Sequence, residues 1–407
     1  MGIKQGENDM TSKRNIVIGA TLVALLAVLF TGQSLLTKAS AQASSGVMAP
    51  KFEVDPSWPK PLPNGYQLGQ TIGVAVDAQD HVWIVHRANP DDVEAAKEKG
   101  TGLCCTTGDP IMEFDQAGNL LRHWGGKDGP GYQWPASNHG IWVDYKGNVW
   151  IGGNGNGSDG MVLKFTQDGK FLNMFGIKKE GLGPDSLAQD RFYLVAKIHV
   201  YPKTNEAFLA DGYGNKRVAV IDADTGKMKR FWGAYGNPPD DKLDLGAYTP
   251  GAALAKGFRG PVHCAEPSND GIVYVCDRTN DRLQMFTMEG KFLSEVQIQP
   301  ESKGDGSTWD VEFSKDPAQK YLYVADGRNQ RVHIFDRKSM VELTNFGTGG
   351  HYPGQWYSLH SIAVDSKGNL YTTETYQGRR VQKFTYKGLA PVTRKDQGTV
   401  WPTSTGQ

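Results

Sequence analysis

The sequence predicts an all-β fold, a six-bladed β-propeller, and three observations carry that prediction. A unit of about forty residues recurs, which is the period of propellers and solenoids. Six copies align along the 407 residues, each alternating apolar and polar residues between short turn signals. The 50 glycines and 10% aromatic content suit many short strands joined by tight turns. No copy contains a convincing amphipathic helix. A linear solenoid is the competing arrangement, but the repeat holds too many antiparallel hairpins for it.

The elements follow in chain order. Lys4, Lys13 and Arg14 precede the apolar run "IVIGATLVALLAVLF" from Ile16 to Phe30, and Ala39-Ser40-Ala41 matches a small-x-small cleavage site. Residues 1–41 are therefore expected to be a signal peptide. An uncleaved membrane anchor is the alternative, because the run is near the lower limit for spanning. There is no twin arginine. Either way the folded part is expected to be exported, periplasmic or secreted, and to meet a membrane only if the segment stays attached. Residues 42–68 form an N-terminal segment, and within it "KFEVDPSW" (Lys51–Trp58) is expected to supply an outer strand that the last copy lacks, closing the ring.

Residues 69–388 hold the six copies, and 389–407 form a C-terminal tail. The copies read "GVAVDAQDHVWIVHR" from Gly73, "HGIWVDYKGNVWIGG" from His139, "KIHVYPKTNEAFLADGYGNKRVAVID" from Lys197, "HCAEPSNDGIVYVCDRTNDRLQMF" from His263, "DVEFSKDPAQKYLYVADGRNQRVHIF" from Asp310 and "HSIAVDSKGNLYTTETYQGRRVQKF" from His360. Arg217, Arg282 and Arg331 recur after the second strand of three copies and are read as structural braces between neighbouring turns. Cys104, Cys105, Cys264 and Cys276 are the four cysteines. An exported chain allows one or two structural disulfides; Cys264 and Cys276 flank one hairpin turn, but spacing leaves the connectivity open. The paired Cys-x-x-Cys pattern of a structural zinc site is absent.

One slot in the repeat carries chemistry. His139 lies eleven residues before Trp150, His263 eleven before Tyr274 and His360 eleven before Tyr371. The same count reaches Ile72 in blade one and Lys197 in blade three; in blade five, whose hairpin is two residues longer, the slot falls on Asp310. Histidine thus occupies blades two, four and six. The innermost strands of a propeller line its channel, so alternate blades of a six-fold ring aim three imidazoles at the axis. Three imidazoles with an open fourth position make a catalytic zinc site, although other divalent metals accept the same ligands. A lone histidine would be read as a hydrogen-bonded core residue. His86, His123, His199 and His351 fall outside the slot and are read as structural or exposed.

With these residues in place, the chain resembles the peptidyl-α-hydroxyglycine α-amidating lyases, NHL-repeat propellers with a three-histidine zinc site. The resemblance runs from about Gly69 to Phe384, blade by blade. It implies that His139, His263 and His360 hold zinc, that Tyr213 of "ADGYGNKR" is the catalytic base, and that Arg87 of "VWIVHRAN" and Arg278 of "CDRTNDR" assist it. The implied substrate is a carbinolamide, R-CO-NH-CH(OH)-COO⁻, split into an amide and glyoxylate. A Lewis-acid metal makes the hydroxyl easier to deprotonate, and a general base takes the proton as the C–N bond breaks. A phenol, with a free pKa near 10, is a poor base, and cations such as the metal and Arg87 improve it. Arg278 is expected to grip the carboxylate.

Three departures stand out. The family's structural calcium is held by backbone carbonyls at positions matching Val74 and Ile141 and by an aspartate, which is Ser361 here. A serine is a weak calcium ligand, which puts calcium in doubt. The family's disulfide positions lack cysteine. An insertion from Asn89 to Gly108 follows Arg87 and is placed to roof the site. The function expected is an exported metal-dependent lyase acting on a small hydroxylated amide. A metal-dependent propeller hydrolase or lactonase is the second reading, and a non-catalytic NHL interaction module the third. Net charge is zero, which argues against nucleic acid as the partner. Sequence leaves the oligomeric state open.

Overall fold

The computed structural model describes residues 46–88 and 105–392. The expected signal segment, Cys104, most of the Asn89–Gly108 insertion and the end of the tail lie outside the described residues. Six four-stranded antiparallel sheets make the six blades. Their innermost strands are Thr71–Val76, Asn138–Val143, Val195–Tyr201, Val262–Pro267, Asp310–Phe313 and Leu359–Val364. Each lies against the innermost strands of the two neighbouring blades, and blade six returns to blade one. No α-helix occurs among the described residues.

The ring closes through its N-terminal end. Met48–Asp55 pairs antiparallel with Arg380–Pro391 and is the outer strand of blade six. Phe52 is buried there against Tyr323, Phe346 and Tyr386. Alternation explains the packing: one side of each strand faces the blade before it and the other the blade after it. The apolar clusters accordingly sit between adjacent blades, as where Phe208, Val220 and Val275 join blades three and four.

The repeat signature has a local physical cause. In blades one, two and six an aspartate ends the innermost strand. One oxygen of Asp144 accepts the amides of Lys146 and Asn148, at 2.9 and 2.8 Å, and so shapes the hairpin turn. Its other oxygen accepts Trp150 Nε1 at 2.9 Å. Asp77 does the same for Trp83 at 3.0 Å, and Asp365 for the Tyr371 hydroxyl at 3.0 Å. A buried indole or phenol needs such a partner.

Two of the three recurring arginines fasten connectors as well as turns, while Arg331 donates to Asn345 in its own blade. Arg217 donates to Asp211 in its own blade and to the carbonyls of Ser186, Ala188 and Arg191 in the segment leading into it. Arg282 repeats this with Asp277 and Gly257. Cys264 and Cys276 face each other across the first hairpin of blade four and form a disulfide.

Candidate metal centre

A bulge places each histidine. The strand register slips between Val262 and Cys264 and between Leu359 and Ser361, leaving His263 and His360 out of the ladder. In blade two it slips between Asn138 and Ile141, around His139. A bulge re-aims its unpaired residue. Here it turns the imidazole toward the axis.

The three rings converge. Their centroids lie 5.3 Å apart for His139 and His263 and 4.9 Å for each pairing with His360. One ring nitrogen from each lies within 4.8 Å of the others, a spacing that can hold a metal ion. The Nδ1–H of His139 donates to the Ala196 carbonyl at 2.6 Å, and that of His263 donates to the Trp309 carbonyl. His360 Nδ1 faces the Ile72 backbone more loosely, outside hydrogen-bond geometry. A carbonyl accepts only, so it fixes the proton on Nδ1 and leaves the Nε2 lone pair for a ligand. Burial, then Arg87, pushes the His139 pKa down to about 3. His263 and His360 are lowered too, first by burial. All three are thus neutral imidazoles, the form that binds metal.

The acceptor carbonyls correct one detail of the sequence reading. Ile72 and Ala196 are themselves the unpaired residues of bulges, and Trp309 immediately precedes its strand. The counterparts of the histidines in blades three and five are therefore Ala196 and Trp309, one position before Lys197 and Asp310. The hairpins there are longer than in the histidine blades, so a fixed count of eleven back from the aromatic stops one residue short in blade three.

Tyr213 joins the triad. Its hydroxyl lies 3.1 Å from His139 Nε2 and 3.1 Å from His263 Nε2, and accepts from Arg278 at 3.0 Å. Glycine on both sides makes this approach possible. A Cβ at Gly212 would lie 2.2 Å from the Val262 backbone, and one at Gly214 2.0 Å from the Tyr193 ring. The Arg278 guanidinium lies 4.3 Å from the centre of the Trp309 ring. Arg87 is fastened instead to Gln70 at 2.9 Å and Asn154 at 3.1 Å. The cation on the phenol oxygen is therefore Arg278, where sequence reasoning had chosen Arg87. Gln70, Asn154 and Trp309 were missed; none belongs to a recurring motif.

Beneath the triad a small cavity is bordered by Gly73, Ile141, Lys197, Asp310 and Ser361. Of the two backbone positions matched to calcium, Ile141 borders this cavity, while Val74 is buried in the cluster that holds Trp58 and Tyr371. Lys197 Nζ lies 2.5 Å from Asp310 and 3.0 Å from Glu266, so an ammonium group already stands among the carboxylates. Ser361 donates to Asp310 at 2.7 Å. Asp77, His81 and Glu113 form the other candidate group among the described residues. There Arg122 pairs with Glu113, which leaves less charge for an ion.

No family model matches the chain. NHL repeat-containing protein 3 from Mus musculus is 27% identical over 317 residues, 75% of each chain. Peptidylglycine alpha-amidating monooxygenase from Rattus norvegicus is 25% identical over 244 residues, 58% of this chain, and its Mus musculus counterpart matches equally. The matched region spans only 22% of those two proteins. Among solved structures, a streptogramin B lyase has a TM-score of 0.48 at 12% identity, covering 84% of this chain and 98% of that one. A virginiamycin B lyase from Staphylococcus aureus, solved with quinupristin, has a TM-score of 0.45 at 15% identity and covers 84% and 88%. Blade order and strand pairing make the chain a six-bladed β-propeller, and over 75% of its length it is similar to an NHL repeat-containing protein.

Proposed function

We propose that the protein is an exported, metal-dependent lyase that cleaves the C–N bond of an α-hydroxyglycine amide or a similar carbinolamide. The observation that carries this reading is the Tyr213 hydroxyl, set between two triad imidazoles and the Arg278 guanidinium. His139, His263 and His360 would hold the metal, with zinc the first choice. When bound, the metal supplies Lewis acidity to the substrate hydroxyl.

The chain's own residues supply the rest. Arg87 and Arg278 bring two positive charges to the mouth, which suits a substrate carboxylate. The hydrogen bond from Arg278 stabilises negative charge on the Tyr213 oxygen. Deprotonated, that oxygen takes the hydroxyl proton of the carbinolamide. The C–O bond becomes a carbonyl, the C–N pair leaves with the amide nitrogen, and the nitrogen takes the proton back from Tyr213. The products are an amide and glyoxylate, and nothing is oxidised or reduced. Similarity to the amidating monooxygenases agrees with this substrate class. Export rests on the N-terminal charged and apolar segment.

The test is to incubate zinc-loaded protein with α-hydroxyhippurate. Benzamide and glyoxylate in equal amounts are expected. Benzoate in place of benzamide would point to a hydrolase. No product above the metal-free control would end the enzyme reading.

A further inference from the structure

The turns that carry Arg87, Tyr213 and Arg278 all follow the second strand of a blade. Arg87 stands one residue after Val82–His86 in blade one, and Arg278 one residue after Ile272–Asp277 in blade four. Tyr213 stands two residues after Glu206–Asp211 in blade three. Blade six repeats that last turn in register. Glu374 ends its second strand and pairs with Arg380, as Asp211 pairs with Arg217, and Tyr376 occupies the place of Tyr213. The two arginines are three blades apart, and so are the two tyrosines. Each pair therefore faces across the mouth.

Tyr376 has no structural task that explains it. Its side chain is 44% exposed. Its hydroxyl makes no hydrogen bond among the described residues. Its backbone φ is 47°, left-handed, which a bulky residue adopts at a cost that function often explains. The turn is pressed onto the connector before blade six, where Thr375 N donates to Ser358 O at 3.0 Å and Tyr357 N to Glu374 at 2.7 Å. Burial, then Asp305, raises the Tyr376 phenol above its ordinary range, while Arg278 and Arg87 act against this. Those neighbours place the ring beside the residues of the mouth, and the ring is neutral.

We propose that Tyr376 is the wall of the mouth that takes an aromatic or apolar acyl group on the substrate nitrogen. The lyase reading provides the substrate class. Tyr213 does the proton chemistry on one side, and the opposite tyrosine selects what the amide carries. An aromatic face suits a flat or apolar group and requires no charge.

Binding tests this without turnover. N-benzoylglycine and N-acetylglycine are titrated against zinc-loaded wild type, Tyr376→Asn and Tyr376→Phe. Asparagine tolerates left-handed backbone, so Tyr376→Asn removes the ring without new strain. The wild type is expected to prefer N-benzoylglycine. Tyr376→Asn should weaken that ligand about tenfold, and N-acetylglycine less than about twofold. Tyr376→Phe should keep the preference. Equal weakening of both ligands, no weakening of either, or no benzoyl preference in the wild type would overturn the wall. A protein that shows the preference yet releases no glyoxylate from α-hydroxyhippurate would end the lyase reading and leave the wall standing.

Discussion

Tyr213 has one proton and two imidazole nitrogens within 3.1 Å, so it can donate to only one of them at a time. Tyr213→Phe keeps the ring and removes the oxygen on which Arg278 acts. It should lower kcat by a factor of about 10²–10⁴ while bound metal stays at the wild-type level. Glyoxylate release and metal analysis on the same sample check both halves. Unchanged turnover would remove Tyr213 from the chemistry. The histidines were legible in the sequence because a repeat lets unlike residues be compared in one slot. Tyr376 was not, because turns align less well than strands, and its equivalence to Tyr213 emerges only from strand register. Arg278 was found, but its hydrogen bond to Tyr213 was not, since sequence order does not show which guanidinium reaches which hydroxyl.

At the scale of the element, each hairpin carries its own fastenings. In blade five the third strand, Arg331–Asp336, buries His333 between Asp326 at 3.1 Å and Glu342 at 2.9 Å. Burial alone would lower its pKa. The hydrogen bonds to the two carboxylates outweigh burial and raise it to about 9. The folded value lies above the ordinary 6.5, so the full contribution is present below pH 6.5 and is lost as pH rises through 9. The amount is on the order of 3 kcal/mol. Thermal melts of wild type should lose stability across this window, and His333→Gln should show a smaller loss. Parallel curves would contradict the assignment. Sequence analysis did not single out this histidine, because partners on two other strands are invisible without the pairing. The Asp-to-aromatic link in blades one, two and six, one carboxylate serving both turn and ring, emerged only from coordinates.

The whole molecule depends on a ring closed by its own two ends. Met48–Asp55 completes the sheet that carries His360. Phe52→Ala should therefore destabilise the protein by about 3–5 kcal/mol, read from denaturant unfolding. It should also weaken metal binding, because blade six contributes one of the three ligands. Stability within about 0.5 kcal/mol of wild type would mean that this strand does not hold the ring. Blade number and order were legible because the repeat states them six times. The mouth was less legible, since its groups come from turns in different blades that only the closed ring brings together.

That ring carries two symmetries at once. The imidazoles repeat every second blade, a three-fold pattern, while the arginines and tyrosines above them repeat every third blade, a two-fold one. The only rotation common to both patterns is a full turn. A ligand rotated by a third of a turn finds the same three imidazoles under a different set of side chains. Rotated by half a turn, it finds the same side-chain types over a differently facing triad. A nearly symmetric barrel of strands thus offers its substrate a single orientation, with no duplicated part.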